Sequence, residues 1–127
     1  MIHRLWIPAL GLLGLLGPSG RVLPAFASED KEALEVVDAE YVCMVNDARF
    51  AKKQVQVQVE GKDYYGCCQM CKERLTNDRS VRVAIDPVSG KEVDKATAVI
   101  GADSQDRVFY FENEKNLEKF NEGSKKK

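Results

Sequence analysis

Polar and β-branched residues alternate without a break from Gln54 to Glu60, as Gln-Val-Gln-Val-Gln-Val-Glu. A period of two marks a strand with one buried face. Gly61-Lys62-Asp63 reads as a turn and Tyr64-Tyr65-Gly66 as the start of a return strand, so the segment predicts a β-hairpin. Cys67 and Cys68 fall where that strand ends, and Gln69 to Leu75 predicts a short helix stopping near Thr76-Asn77-Asp78. Farther along, the order recurs. Asp86-Pro87-Val88-Ser89-Gly90 is a turn, Ala98-Val99-Ile100 a strand, Gly101 to Asp106 a polar loop and Arg107 to Phe111 a second strand. Glu112 to Phe120 is helix-like, with Leu117 and Phe120 three apart on one face. The expected fold class is α+β, built from two small hairpin-and-helix units in tandem, 42–80 and 81–122. The aromatics Tyr64, Tyr65, Phe109, Tyr110, Phe111 and Phe120 serve as their core.

An offset of 45 residues superposes the two halves. Tyr65 falls on Tyr110 and Leu75 on Phe120, so the apolar framework is kept. Cys67, Cys68 and Cys71 fall on Glu112, Asn113 and Asn116, so the thiols are replaced by polar groups. The first copy is therefore the one expected to bind and the second the one to support.

The N-terminal stretch follows a different rhythm. Met1 to Arg4 is basic, Leu5 to Leu16 is almost wholly apolar, and Ala25-Phe26-Ala27 puts small residues at the two positions that matter for cleavage. This predicts a secretory signal peptide over 1–27, cut after Ala27, and a periplasmic or secreted mature chain. The apolar run is too short for a membrane span, which needs about 20 residues. Residues 28–41 are acidic and weakly amphipathic, and read as a loose arm or short helix. Residues 123–127 read as a solvated basic tail.

Charge and composition narrow the chemistry. Without the leader, 17 basic side chains face 20 acidic ones, which gives no reason to expect nucleic acid as a partner. The single histidine, His3, lies in the leader. The mature chain then lacks the commonest general base and nitrogen ligand, which excludes Ser-His and Cys-His catalytic pairs. No phosphate loop or nucleophile with a base is visible, so no enzyme is expected.

Four cysteines remain: Cys43, Cys67, Cys68 and Cys71. A hairpin carries the chain out and back, so it can bring Cys67 and Cys71 close to Cys43 across the 23 residues that separate Cys43 from Cys67. One helical turn holds about 3.6 residues, which lets Cys71 share a face with Cys67 or Cys68. A helix N-terminus also favours thiolate over thiol.

These residues resemble a known family. Cys43, the stretch Gly61-Lys62-Asp63-Tyr64-Tyr65-Gly66-Cys67-Cys68, and Cys71 just inside a helix are similar to a TRASH or YHS-type domain. In the second half, Asp86-Pro87-Val88-Ser89-Gly90-Lys91-Glu92-Val93 is similar to the opening of a YHS domain, with Ser89 where a cysteine would stand. The resemblance covers about Val42 to Asn121. It implies a small treble-clef-like fold and a role in heavy-metal trafficking, resistance or sensing. The chain departs from the pattern in its slightly longer first spacing, in Gly66 where an aromatic is usual, and in a second copy without ligands.

Without histidine, a metal site here relies on sulfur, and thiolates select Cu(I), Zn(II) and softer ions over Mg or Ca. Cys43, Cys67 and Cys71 are the core candidates and Cys68 the fourth sulfur. Met44 and Met70 read as packing or exposed residues, and Asp47 as a turn residue. The expected partners are the ion and a metal transporter or another periplasmic protein. Two alternatives stay open. A disulfide-stabilised module would gain roughly 3 kcal/mol from closing a loop of about 25 residues. A thiol redox protein would use Cys68-x-x-Cys71.

Overall fold

The computed structural model describes Gly11 and residues 32–125. Apart from Gly11, the leader over 1–27 with its cleavage site lies outside the described residues, as do the last two lysines. Nine short strands, two α-helices and two 3₁₀ turns make up the described chain, an α+β fold of small antiparallel sheets. Among the described residues no helix is long and apolar enough to cross a membrane.

The alternating segment forms β4 (Val55–Val59), which pairs with β5 (Lys62–Gly66) in the register Val57 to Tyr64 and Val55 to Gly66. Val57 and Tyr64 are buried while Gln56 and Gln58 face solvent, as a period of two requires. The turn sits one residue earlier than the sequence suggests, at Glu60 and Gly61, both at positive φ (52° and 76°). Two consecutive left-handed residues make the primed two-residue turn whose twist matches the strands it joins, so Lys62 and Asp63 are free to extend β5. Helix α1 (Gln69–Asn77) follows with Cys68 at its N-cap, and Cys71 and Leu75 on its buried face.

A second hairpin and helix follow: β8 (Val99–Ala102), β9 (Val108–Phe111) and α2 (Glu114–Lys125). Gly101 and Ala102, expected to open the polar loop, belong to β8. The reason at Gly101 is steric: a Cβ there would lie 2.9 Å from Leu34 Cβ and 3.0 Å from a Leu117 methyl. Helix α2 starts two residues later than expected. Glu112 N–H is taken by Asp86, and Asn113 Oδ1 caps the helix by accepting from Asn116 N at 2.9 Å.

Short strands the sequence does not announce complete the frame. The described part of the acidic arm is built into the fold: β1 (Glu35–Val36) adds an edge strand to β8, and buried Leu34 packs with Phe111 and Leu117. Asn121 holds the Leu34 backbone, accepting from its N–H at 2.7 Å and donating to its carbonyl at 3.0 Å. The pair β2 (Val42–Cys43) and β3 (Ala48–Arg49) makes a tight corner before the first hairpin, and β6 (Val83–Ile85) pairs with β7 (Glu92–Asp94) before the second. One apolar cluster joins the halves, with Val42, Val57, Tyr64 and Leu75 packed alongside Val93, Ile100, Val108 and Tyr110.

Candidate metal centre

The centre forms where the β2–β3 corner meets the start of α1. Cys43 closes β2, pairs with Ala48 and is fully buried. The corner is fastened to the first hairpin by Met44 N–H, which donates to Tyr65 O at 2.9 Å. A buried cation from the second half fastens it from below. Lys95 Nζ donates to Met44 O at 2.6 Å and to Asp47 Oδ1 at 2.7 Å, and lies 5.0 Å from the centroid of the Tyr110 ring. Tyr110 OH donates to the same Asp47 oxygen at 2.9 Å, and Asp47 sits at φ 51°. Asp47 is therefore more than a turn residue: it anchors the corner through Lys95 and Tyr110. Met44 packs in the core and Met70 is 73 % exposed on α1.

Cys71 is the meeting point of the sulfurs. Its Sγ lies 3.8 Å from that of Cys43 and 3.6 Å from those of Cys67 and Cys68. The sulfurs of Cys43, Cys67 and Cys71 all lie within 4.8 Å of one another and could hold a metal ion. Two sulfurs bound to one ion at about 2.3 Å stand about 3.8 Å apart in a tetrahedron and about 4.0 Å apart in a trigonal plane. The spacings to Cys71 already match. Cys43 and Cys71 form the buried floor, while Cys67 and Cys68 are exposed at the rim. All four are free thiols, and Asn46 Nδ2 reaches the Cys67 sulfur at 3.7 Å.

The four thiols are not electrostatically equal. Burial works against ionising Cys43, but the backbone N–H groups of Asn46, Cys67 and Val45 point at its sulfur and hold the thiol below its ordinary value. Cys68 is also lowered, chiefly by the Cys71 N–H. The Cys71 side chain instead pushes Cys67 up to about 12, with burial adding to it, and burial raises Cys71. Sulfurs this close cannot all carry negative charge unless a cation joins them.

Gly66, where the resembled family has an aromatic, has a steric role. A Cβ there would stand 2.8 Å from Cys71 Cβ and 3.4 Å from a Leu75 methyl. Helix α1 can thus seat Cys71 against β5 only because this side chain is missing. Gly66→Ala is expected to cost about 1–3 kcal/mol by overpacking and to lower zinc affinity by about tenfold through displacement of Cys71. Melting curves with and without zinc read both effects, and a variant unchanged in both would show that α1 has room to yield.

A similar set of backbone donors meets one side chain in the second half, with different chemistry. Asp86, fully buried, accepts from the N–H groups two and three residues ahead, Val88 (2.7 Å) and Ser89 (3.0 Å). Cys43 likewise receives the N–H groups of Val45 and Asn46. Asp86 Oδ2 also accepts from Glu112 N at 2.8 Å and Asn116 Nδ2 at 2.8 Å. Glu112 and Asn116 are the residues that fall on Cys67 and Cys71 in the offset of 45. The counterpart of Cys43 is thus Asp86 rather than Ser89, which is exposed in the turn. Asp86 and Lys95 are the two important residues that sequence reasoning passes over. The Asp86-Pro87-Val88-Ser89 turn signal hints at the first, and no local pattern hints at the second. No protein-family model, curated protein or solved structure matches this chain.

Proposed function

We propose that this protein is an exported, non-enzymatic binder of a soft metal ion, Cu(I) or Zn(II), held by Cys43, Cys67 and Cys71. The observation that carries the reading is the convergence of three sulfurs, from two segments distant in sequence, within 4.8 Å of one another. The second half supports it by contrast. There the corner is self-sufficient, because one carboxylate accepts from four N–H groups. In the first half backbone N–H groups reach Cys43, but three sulfurs still crowd within 4.8 Å of one another, and a cation would complete the arrangement as the donors complete Asp86. The resemblance to TRASH and YHS-type domains, carried by Cys43, Gly61 to Cys68 and Cys71, points to the same use. With its leader removed after Ala27, the protein would sequester, deliver or sense metal in the periplasm, with a metal transporter or another periplasmic protein as its partner.

Loading the purified protein with zinc under reducing conditions tests this. One ion per chain is expected by elemental analysis, with at least three thiols protected from a thiol reagent. Cys67 and Cys71 hold their protons more tightly than ordinary thiols, and both protons must leave when the sulfurs bind. Apparent affinity should therefore rise with pH, by about tenfold per released proton per unit, so by at least about 100-fold per unit for these two. A chromophoric chelator competing between about pH 6.5 and 8 measures the slope. A chain that takes up no zinc, or binds it with no pH slope, overturns the reading.

A further inference from the structure

We infer that Cys68 is not a resident ligand but an exchange thiol whose bond to Cys71 expels the metal, so that the centre releases its ion when it meets a disulfide. The inference rests on the metal-binding reading above and adds its regulation.

Three observations carry it. Cys68 lies outside the group of three sulfurs that approach one another within 4.8 Å, yet its sulfur is 3.6 Å from that of Cys71. It is exposed, whereas Cys43 and Cys71 are buried. It also occupies the N-cap of α1 with extended backbone (φ −156°, ψ 176°), a position from which its side chain faces the first helical turn. Cys71 is the third residue of that helix. A disulfide needs the two sulfurs at about 2.05 Å, a closure that side-chain rotation at the first helical turn can supply. Cys43 is a poorer partner, because β2, the Tyr65 carbonyl and Lys95 hold its corner in place.

The exchange balances without any group beyond a disulfide oxidant, either a small-molecule or a protein disulfide. The Cys68 thiolate attacks one sulfur of the oxidant, forming a mixed disulfide and expelling one thiolate. The Cys71 thiolate then attacks the Cys68 sulfur and expels the second thiolate. The oxidant gains two electrons and becomes two thiols, and Cys68 and Cys71 lose two and become a disulfide. Cys71 is the sulfur nearest to the rest of the cluster, so its oxidation leaves Cys43 and Cys67 as an incomplete pair.

The test uses zinc-loaded protein, oxidised glutathione and a chromophoric zinc chelator, with wild type compared to Cys68→Ser. Serine is a good N-cap, so the variant keeps the helix. Wild type should release zinc as a Cys68–Cys71 disulfide appears by peptide mass mapping, and a reductant should restore binding. Cys68→Ser should bind zinc within about threefold of wild type and release it at least about tenfold more slowly under the oxidant. Equal release rates, a disulfide mapped to another pair, or a loss of affinity beyond tenfold in Cys68→Ser each overturn the exchange role while leaving metal binding intact. A wild-type chain that takes up no zinc overturns the metal reading and this inference together.

Discussion

Cys71→Ser is expected to lower the affinity for zinc or Cu(I) by more than about 100-fold, the largest effect of any single cysteine replacement. Altering a group that merely orients a metal ligand costs about 10–100-fold, and removing the sulfur at the centre of the cluster should exceed that. The geometry makes Cys71 central: its sulfur lies within 3.8 Å of each of the other three. Serine is smaller than cysteine, and the site is 6 % exposed, so the metal-free variant should fold with a modest loss of stability. Competition with a chelator gives the affinity, and a melting curve without metal shows that the fold survives. Stoichiometric, tight zinc in Cys71→Ser would mean that the sulfurs gather for packing alone. Cys67→Ser should follow Cys71→Ser, and Cys68→Ser should fall well short of both.

The parts of this centre that were legible in the sequence are those with a strong local signal. Seven alternating residues fixed β4, and the two aromatics after the turn fixed β5, because a half-buried strand imposes a period of two on its own residues. Cys71 read correctly as lying in the first turn of the helix that follows the hairpin. The β2–β3 corner was not legible, because two-residue strands are too short to show any period. Lys95 could not be foreseen either. Its burial depends on Met44 O and Asp47, some fifty residues earlier, and a lysine followed by Ala96 and Thr97 looks like any solvated loop position. Ser89 was the natural counterpart of a ligand by motif, but the backbone decides otherwise. The residue whose side chain can accept from the N–H groups two and three ahead is Asp86, and a carboxylate does this better than a hydroxyl.

That substitution of chemistry leads to the second large effect. Asp86→Ala should destabilise the fold by about 3–5 kcal/mol, because it removes a fully buried carboxylate that serves four donors at once, one of them the buried Asn116 amide. The N–H groups of Glu112, Val88 and Ser89 and the Asn116 amide all lose their acceptor at once. For a domain near 100 residues the melting temperature should fall by more than about 15 °C. Asp86→Asn should rescue little, since one side of its amide would set a donor against the donors of Glu112 and Asn116. The pH dependence separates this role from simple packing. Burial opposes the charge on Asp86, but Asn116, Glu112 N, Ser89 N and Val88 N outweigh it and hold the carboxyl below its ordinary range. Its stabilisation is therefore present above the unfolded value of about 3.9 and disappears as pH falls through the lower folded value. Wild-type stability should drop over that acid range, and the drop should be shallower in Asp86→Ala, with the remainder due to Asp78, Asp94 and Asp103, which are lowered too. Zinc should raise the melting temperature of both proteins, because the ion closes the first corner and Asp86 the second. If Asp86→Ala melted within a few degrees of wild type, with the same acid slope, the hydrogen-bonded corner would not be what holds the second half together.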